Sequence, residues 1–511
     1  MAASDSREQG VAFPADEDGR ISTMALNQNV FADAARPTSA DLARDITRER
    51  DWRASYVPYV RRLLELGMAS PENAVAISAD GLASLRSRMV FRRGDAATSI
   101  DEAMQAPVDV LGTATVYGRA RGTPRLAVPY RGRELTGDSL RRQLDDWVER
   151  GIAEPSFADA VALVVDNPDW LDLSDQAVAV LGAGSEMGPF EQLCQWGADV
   201  WALDLPRPQV WRRVLSTAVG GRGILRVPLA VSERLSGENV GPTGVDDLAS
   251  VAGANLIESA PELRVWLAQA EGPLTVGNYV YADSGLHVRA SVAADAVMTG
   301  LQAERDDLTL AFLATPTDVF SVPWDVVEDA RRRYRARSIA AKVASPVGLV
   351  SAGRVLQEHY ARRAAADADP PYGVADNLVP QQGPNYALAK RMQRWRATVA
   401  REQGVTASLN IAPPTRTASV LKNRAFSLAY AGMGRFGLEV FDPPASNALM
   451  AAMLVHDLRN PSSSAHPGTR LEHPLDHFVD GANPGGMWRS PYEPNSVMTA
   501  AAVAGLFERR A

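Results

Sequence analysis

The sequence predicts an α/β protein built around a doubly wound parallel sheet. Three observations carry that expectation. Short apolar runs of strand length recur at 177–181, 200–204, 224–229, 308–314 and 406–411, with helical periodicity between most of them. The first run leads directly into a glycine-rich turn. The second ends in an acid, Asp204, placed 22 residues beyond the first glycine of that turn.

The elements follow in chain order. Residues 1–49 are polar and rich in Ala, Ser and Asp without a sustained period, and are expected to be largely disordered. Residues 50–172 read as an N-terminal α/β domain. Tyr56, Val60, Leu63 and Leu64 mark a helix that stops at Gly67, short strands follow at 114–117 and 126–129, and Leu140, Leu144, Trp147 and Val148 share a helical face. A further helix from Ser156 ends at Asn167-Pro168. Residues 173–445 read as a Rossmann-like nucleotide-binding domain, with 232–306 as an inserted helical segment or lid and a long helix from Trp324 to about Ala344. Residues 446–511 form a C-terminal extension with helices at 447–458 and 496–507, joined by a loop dense in Gly, Pro, Trp and Tyr that is expected to act as a packing strap.

Composition bounds the function classes. The net charge of −8 argues against a broad nucleic-acid footprint. The longest uninterrupted apolar run, 448–455, is far too short for a bilayer span, so no membrane association is expected. A single cysteine, Cys194, excludes an internal disulfide, and the cytoplasm is the expected compartment. The partner expected is a small-molecule substrate, and self-association into a homo-oligomer stays open.

The turn reads Gly182-Ala183-Gly184-Ser185-Glu186-Met187-Gly188 between an apolar strand and a short helix. Gly182 permits the tight turn, Gly184 lets backbone approach a phosphate, and Gly188 lets helix pack on strand. Helix N-terminal amides suit an anion, and an acid such as Asp204 suits a ribose hydroxyl. The G-x-G-x-x-x-G spacing leaves two cofactor classes open: a nicotinamide dinucleotide, or the methyl donor S-adenosylmethionine of a methyltransferase.

A second motif separates them. Asn385-Tyr386-Ala387-Leu388-Ala389-Lys390 places Tyr386 and Lys390 on one helix face. Lysine occurs only three times and tyrosine 12 times in the chain, so chance supplies about 0.07 such pairs. An ammonium beside a phenol lowers the phenol's pKa, as acid–base work at a carbonyl or alcohol requires. The helix leads into the run at 406–411 and then into Pro413-Pro414-Thr415-Arg416-Thr417.

In these features, over about residues 174–440, the chain resembles the short-chain dehydrogenase/reductase family. The resemblance implies an NAD or NADP cofactor and hydride transfer to or from a carbonyl or alcohol. Tyr386 would move the proton, Lys390 would lower its pKa and bond the nicotinamide ribose, and Thr415 or Thr417 would touch the cofactor. Gly182, Gly184, Ser185, Glu186, Met187, Gly188, Asp204, Thr315 and Pro413 complete the expected cofactor site. Asp204 favours NAD by repelling a 2′-phosphate, while Arg207 leaves NADP open. The sequence departs from the family where a serine should precede the tyrosine. The window 372–384 has no hydroxyl but Tyr372, and Asn377, Gln381 or Gln382 are the groups left to polarise a substrate oxygen. Ala314-Thr315-Pro316 stands in place of the usual Asn-Ala-Gly, and Pro414 in place of a glycine. A catalytically inactive cofactor-binding protein is the third alternative. His466, His473 and His477 lie in a loop broken by Pro474, which points to capping rather than a metal site.

Overall fold

The computed structural model describes residues 8–230, 244–337, 356–422 and 424–508. It is a mixed α/β protein whose centre is a seven-stranded, mostly parallel sheet flanked by helices. Its strands are β1 (Gly112–Tyr117), β2 (Ala177–Leu181), β3 (Asp199–Leu203), β4 (Ile224–Leu229), β5 (Leu274–Asn278), β6 (Leu308–Ala314) and β7 (Thr406–Ile411). They lie in the order β7-β6-β5-β2-β3-β4-β1, all parallel except β1, which runs antiparallel along β4. The chain reverses its direction of travel across the sheet between β2 and β5, which pair in register from Ala177 opposite Leu274 to Leu181 opposite Asn278.

Both faces of the sheet are covered, which is why its strands are near-continuous apolar runs. Ala177, Ala179 and Leu181 face one core, while Val178 and Val180 face the other. The first core contains α1 (Thr23–Ala35), α2 (Ala40–Arg48), α3 (Trp52–Met68), α4 (Pro71–Arg88), α5 (Ser284–Gln302) and α6 (Pro384–Glu402). The second contains α7 (Phe190–Trp196), α8 (Pro208–Gly220) and α9 (Pro443–Arg459).

Three expectations are corrected. The N-terminal 49 residues are not without structure: Ser22 and Ser39 cap α1 and α2, and Leu26, Val30, Phe31, Leu42 and Ile46 are buried. Residues 50–172 are not a separate domain. Their segment 112–117 is an edge strand of the main sheet, and α3 and α4 share the first core with α6. Residues 232–306 are not an insertion, since they contain β5, a central strand with every residue buried. Gly277 and Asn278 read as turn residues, which disguised it. Gly277 is needed there because a Cβ would stand 2.3 Å from the ring of Tyr279.

The helix from Trp324 ends at Ala336, and the remainder of its expected span lies outside the described residues. No helix among the described residues is long and apolar enough to cross a membrane. The loop before the last helix (α10, Pro494–Glu508) does behave as a strap. Trp488 is fully buried against Phe320, with ring centroids 5.4 Å apart. At Gly485, φ is +60° and a Cβ would meet Pro414 at 2.3 Å, so the strap props the turn after β7.

Candidate active site

A cleft of about 270 Å³ opens at the carboxyl ends of β2, β5, β6 and β7, at the place where the strand order reverses. Ligands of open α/β sheets bind at such reversals, because the loops diverge there and leave a crevice. The cleft is lined by Ser185, Glu186 and Met187 of the glycine turn, by Thr315 and Thr317 after β6, and by Pro413, Thr415 and Thr417 after β7. Tyr386 and Lys390 reach it from the first turns of α6. Sequence-expected residues from four separate segments therefore converge.

Others do not line the cleft. Asp204 braces the glycine turn: its Oδ2 accepts from the Gly184 amide at 2.7 Å and its Oδ1 from the Leu205 amide at 2.8 Å. A carboxylate has about four lone-pair sites, so acceptor capacity remains for a ribose hydroxyl. Gly182 holds φ at +92° against the Tyr279 backbone, and at Gly184 a Cβ would strike the Val210 side chain at 2.4 Å. The Gly188 amide donates to Asn447 Oδ1 at 3.1 Å, and α7 has only seven residues. The expected row of free amides at a helix N-terminus is thus partly spent within the protein.

Asn377 is displaced from its expected role. It is fully buried beyond the antiparallel strand Tyr372–Asp376, and neither side-chain nitrogen nor oxygen has a hydrogen-bond partner among the described residues. Gln382 is the amide that reaches the cleft, where its Oε1 accepts from Thr317 Oγ1 at 3.3 Å.

Two hydroxyls from outside the 372–384 window stand beside Tyr386. Thr315 and Thr317 lie 2.8 Å apart, hydroxyl to hydroxyl, and both stand beside the Tyr386 phenol. They come from the end of β6, because the undetected strand β5 makes β6 the fifth strand of the parallel set rather than the fourth. The sequence signal was the T-x-T pattern after an apolar run.

Electrostatics correct one further expectation. Tyr386 keeps some surface open to the cleft, but protein surrounds it, and burial pushes its pKa up to about 12 while the Thr315 and Thr317 hydroxyls pull the other way. Loss of water around a phenolate outweighs its stabilisation here. Burial also lowers Lys390 to about 8. Its ammonium reaches the Leu313 carbonyl and Gln393 Oε1, both at 3.4 Å. Near neutral pH the cleft therefore holds a neutral phenol and, one helical turn further along α6, an ammonium. That arrangement donates a proton more readily than it accepts one.

His287, on α5, was missed entirely. It is fully buried, with its ring centroid 5.7 Å from that of Tyr386, and among the described residues neither ring nitrogen has a partner at good hydrogen-bond geometry. Burial, with the Lys390 charge adding to it, lowers its pKa to about 3 even though the Val280 carbonyl opposes the shift. The imidazole is neutral.

Comparison of the chain with protein-family models, with curated proteins and with solved structures finds no match. Asp318 holds the two halves of the cleft together. Buried just past the threonines, it accepts from Arg391 at 2.6 Å and Arg394 at 2.9 Å, both on α6.

Proposed function

We propose that the protein is an NAD(P)-dependent oxidoreductase that reduces a carbonyl, similar in its working parts to short-chain dehydrogenases. The observation that carries this reading is the meeting of Tyr386, Lys390 and the paired hydroxyls of Thr315 and Thr317 in one cleft beside the glycine turn. The parallel strands β4-β3-β2-β5-β6-β7 also run in the 3-2-1-4-5-6 order of dinucleotide-binding sheets.

A bound nicotinamide supplies the hydride. The chain's own residues do the rest. Thr315 and Thr317 offer hydroxyls to the substrate oxygen and orient the phenol. Tyr386 donates its proton to that oxygen as negative charge develops there. Lys390 keeps a positive charge beside the phenolate that results, limiting the cost of forming it in a dry cleft. The elevated phenol pKa suits the reductive direction. Asp204 favours NAD over NADP, and the exposed Arg207 close by is the counterweight.

Titration with NADH and NADPH tests the assignment, with quenching of intrinsic fluorescence and a thermal shift as readouts. Failure of both dinucleotides to bind would sink it. A methyltransferase would use the glycine turn and Asp204 but leave Tyr386, Lys390 and Thr315 idle. Calorimetric binding of S-adenosylhomocysteine in place of a dinucleotide would favour that alternative. Dinucleotide binding without turnover of any carbonyl would instead indicate a catalytically inactive cofactor-binding protein.

A further inference from the structure

A second cavity, of about 340 Å³, adjoins the cleft and has no part in the chemistry above. Tyr430 lines both spaces and forms their common wall. Arg416 connects them through the chain: its neighbours Thr415 and Thr417 line the cleft, while Arg416 itself lines the second cavity together with Arg131. The Thr417 amide donates to the Thr415 carbonyl at 2.9 Å, closing a tight turn at Arg416, so one short turn serves both spaces.

The cavity offers guanidinium donors to an anion. Glu439 lies within it, but its side chain is only 6% exposed and its oxygens are already engaged. They accept from Tyr130 Oη at 2.7 Å, from Arg131 Nη2 at 2.6 Å and from Arg150 Nη2 at 2.6 Å. Glu439 therefore fixes Arg131 instead of competing for a ligand. Arg131 sits at φ +47° and Gly132 at φ +74°, as the two central residues of the tight hairpin turn between 128–130 and 133–135 require, so the turn holds the Arg131 backbone in place. Its guanidinium has five donors, of which one meets Glu439. Arg416 makes no side-chain hydrogen bond among the described residues. Its nearest carboxylate is Asp442 at 3.6 Å, a side chain 65% exposed and hence screened by solvent. Two guanidinium groups and two carboxylates line the cavity, and among the described residues most donors of Arg131 and Arg416 are unused.

We propose that this cavity holds an anionic group of the substrate, a carboxylate or a phosphate, while the substrate's carbonyl is reduced in the adjoining cleft. The proposal rests on the oxidoreductase reading and narrows its substrates to acids. Arg416 and Arg131 act as binding residues that set specificity, and Tyr430 sets the distance between carbonyl and anion.

Succinate is a suitable probe, and dimethyl succinate is its uncharged counterpart. Calorimetric titration of the full-length protein at low ionic strength is expected to give saturable binding of succinate and none of the diester. Arg416→Gln and Arg131→Gln should each weaken succinate at least tenfold, with unchanged melting temperature and unchanged NADH affinity. The proposal is overturned if the wild-type protein does not bind succinate, if the diester binds equally well, or if both variants bind succinate as the wild type does. It is also overturned if the variants lose NADH, because the arginines would then hold a phosphate of the cofactor. Binding of succinate through Arg416 by a protein that takes neither NADH nor NADPH would leave the anion site standing and remove the reductase reading alone.

Discussion

At the scale of single residues, the cleft makes unequal demands on its groups. Tyr386 lines the cleft beside the paired threonine hydroxyls and one helical turn before Lys390, so under the proposed mechanism Tyr386→Phe should lower kcat by about 10²–10⁴-fold, the usual contribution of a positioned general acid. NADH affinity, measured by fluorescence titration, should barely change. Unaltered turnover would exclude the tyrosine mechanism. Thr315→Val removes a hydroxyl that the proposed mechanism gives to the substrate oxygen and should cost on the order of 10²-fold in kcat, as loss of one preorganised donor does. The pH dependence has a definite sign. Burial lowers Lys390 from 10.5 to about 8, so the ammonium is present below pH 8 and disappears as pH rises through that value. The kcat for reduction should therefore be level near pH 7 and fall above about pH 8. Lys390→Arg keeps the charge and should abolish the fall. A wild-type profile that stays level to pH 10 would remove Lys390 from the mechanism.

At the scale of elements, the strands that read clearly were those made of β-branched and aliphatic runs, and the helix bearing Tyr386 and Lys390 was marked by its own periodicity. β5 was hidden because its last two residues, Gly277 and Asn278, carry turn chemistry. Spacing of about a dozen residues before Tyr386 points to 372–384 for a hydroxyl, while the threonines lie after β6. No local pattern could have exposed the tie between these elements, since Asp318 meets Arg391 and Arg394 only through tertiary contact. That tie sets where α6 sits relative to the Thr315–Thr317 loop. Asp318→Asn leaves two guanidinium groups, each less than a tenth exposed, without their counter-charge. Removing one member of a buried ionic group costs about 3–5 kcal/mol. The urea midpoint should drop accordingly, and kcat should fall as the threonines and Tyr386 lose register. A variant with wild-type stability would show that the pair is dispensable.

At the scale of the whole molecule, the segment with the weakest sequence signal proves to support the site. Residues 8–49 bury mostly small or scattered apolar groups, with Ala32, Ala34 and Ala35 among them, and alanine gives little contrast to a periodicity search. Yet Phe31 packs on Trp395 of α6 and on Trp52, with ring centroids at 6.0 and 5.7 Å. Asn27, fully buried, donates to the Pro384 carbonyl at 2.8 Å and accepts from Trp52 Nε1 at 2.7 Å. Pro384 is the first residue of α6, two before Tyr386, so α1 fixes the end of the helix that carries the proposed acid. Asn27→Leu orphans a buried carbonyl and an indole N–H, at about 1–3 kcal/mol for each unsatisfied group. Deletion of residues 1–49 should do more, because it uncovers Trp52 and Trp395 together and strips one side of the first core. The truncated chain is expected to bind a hydrophobic dye, to lose its cooperative melt and to show no turnover with NADH. A truncated protein that melts at the wild-type temperature and still reduces a carbonyl would show that the first 49 residues are an appendage, as their composition alone suggests, and not part of the core that positions Tyr386.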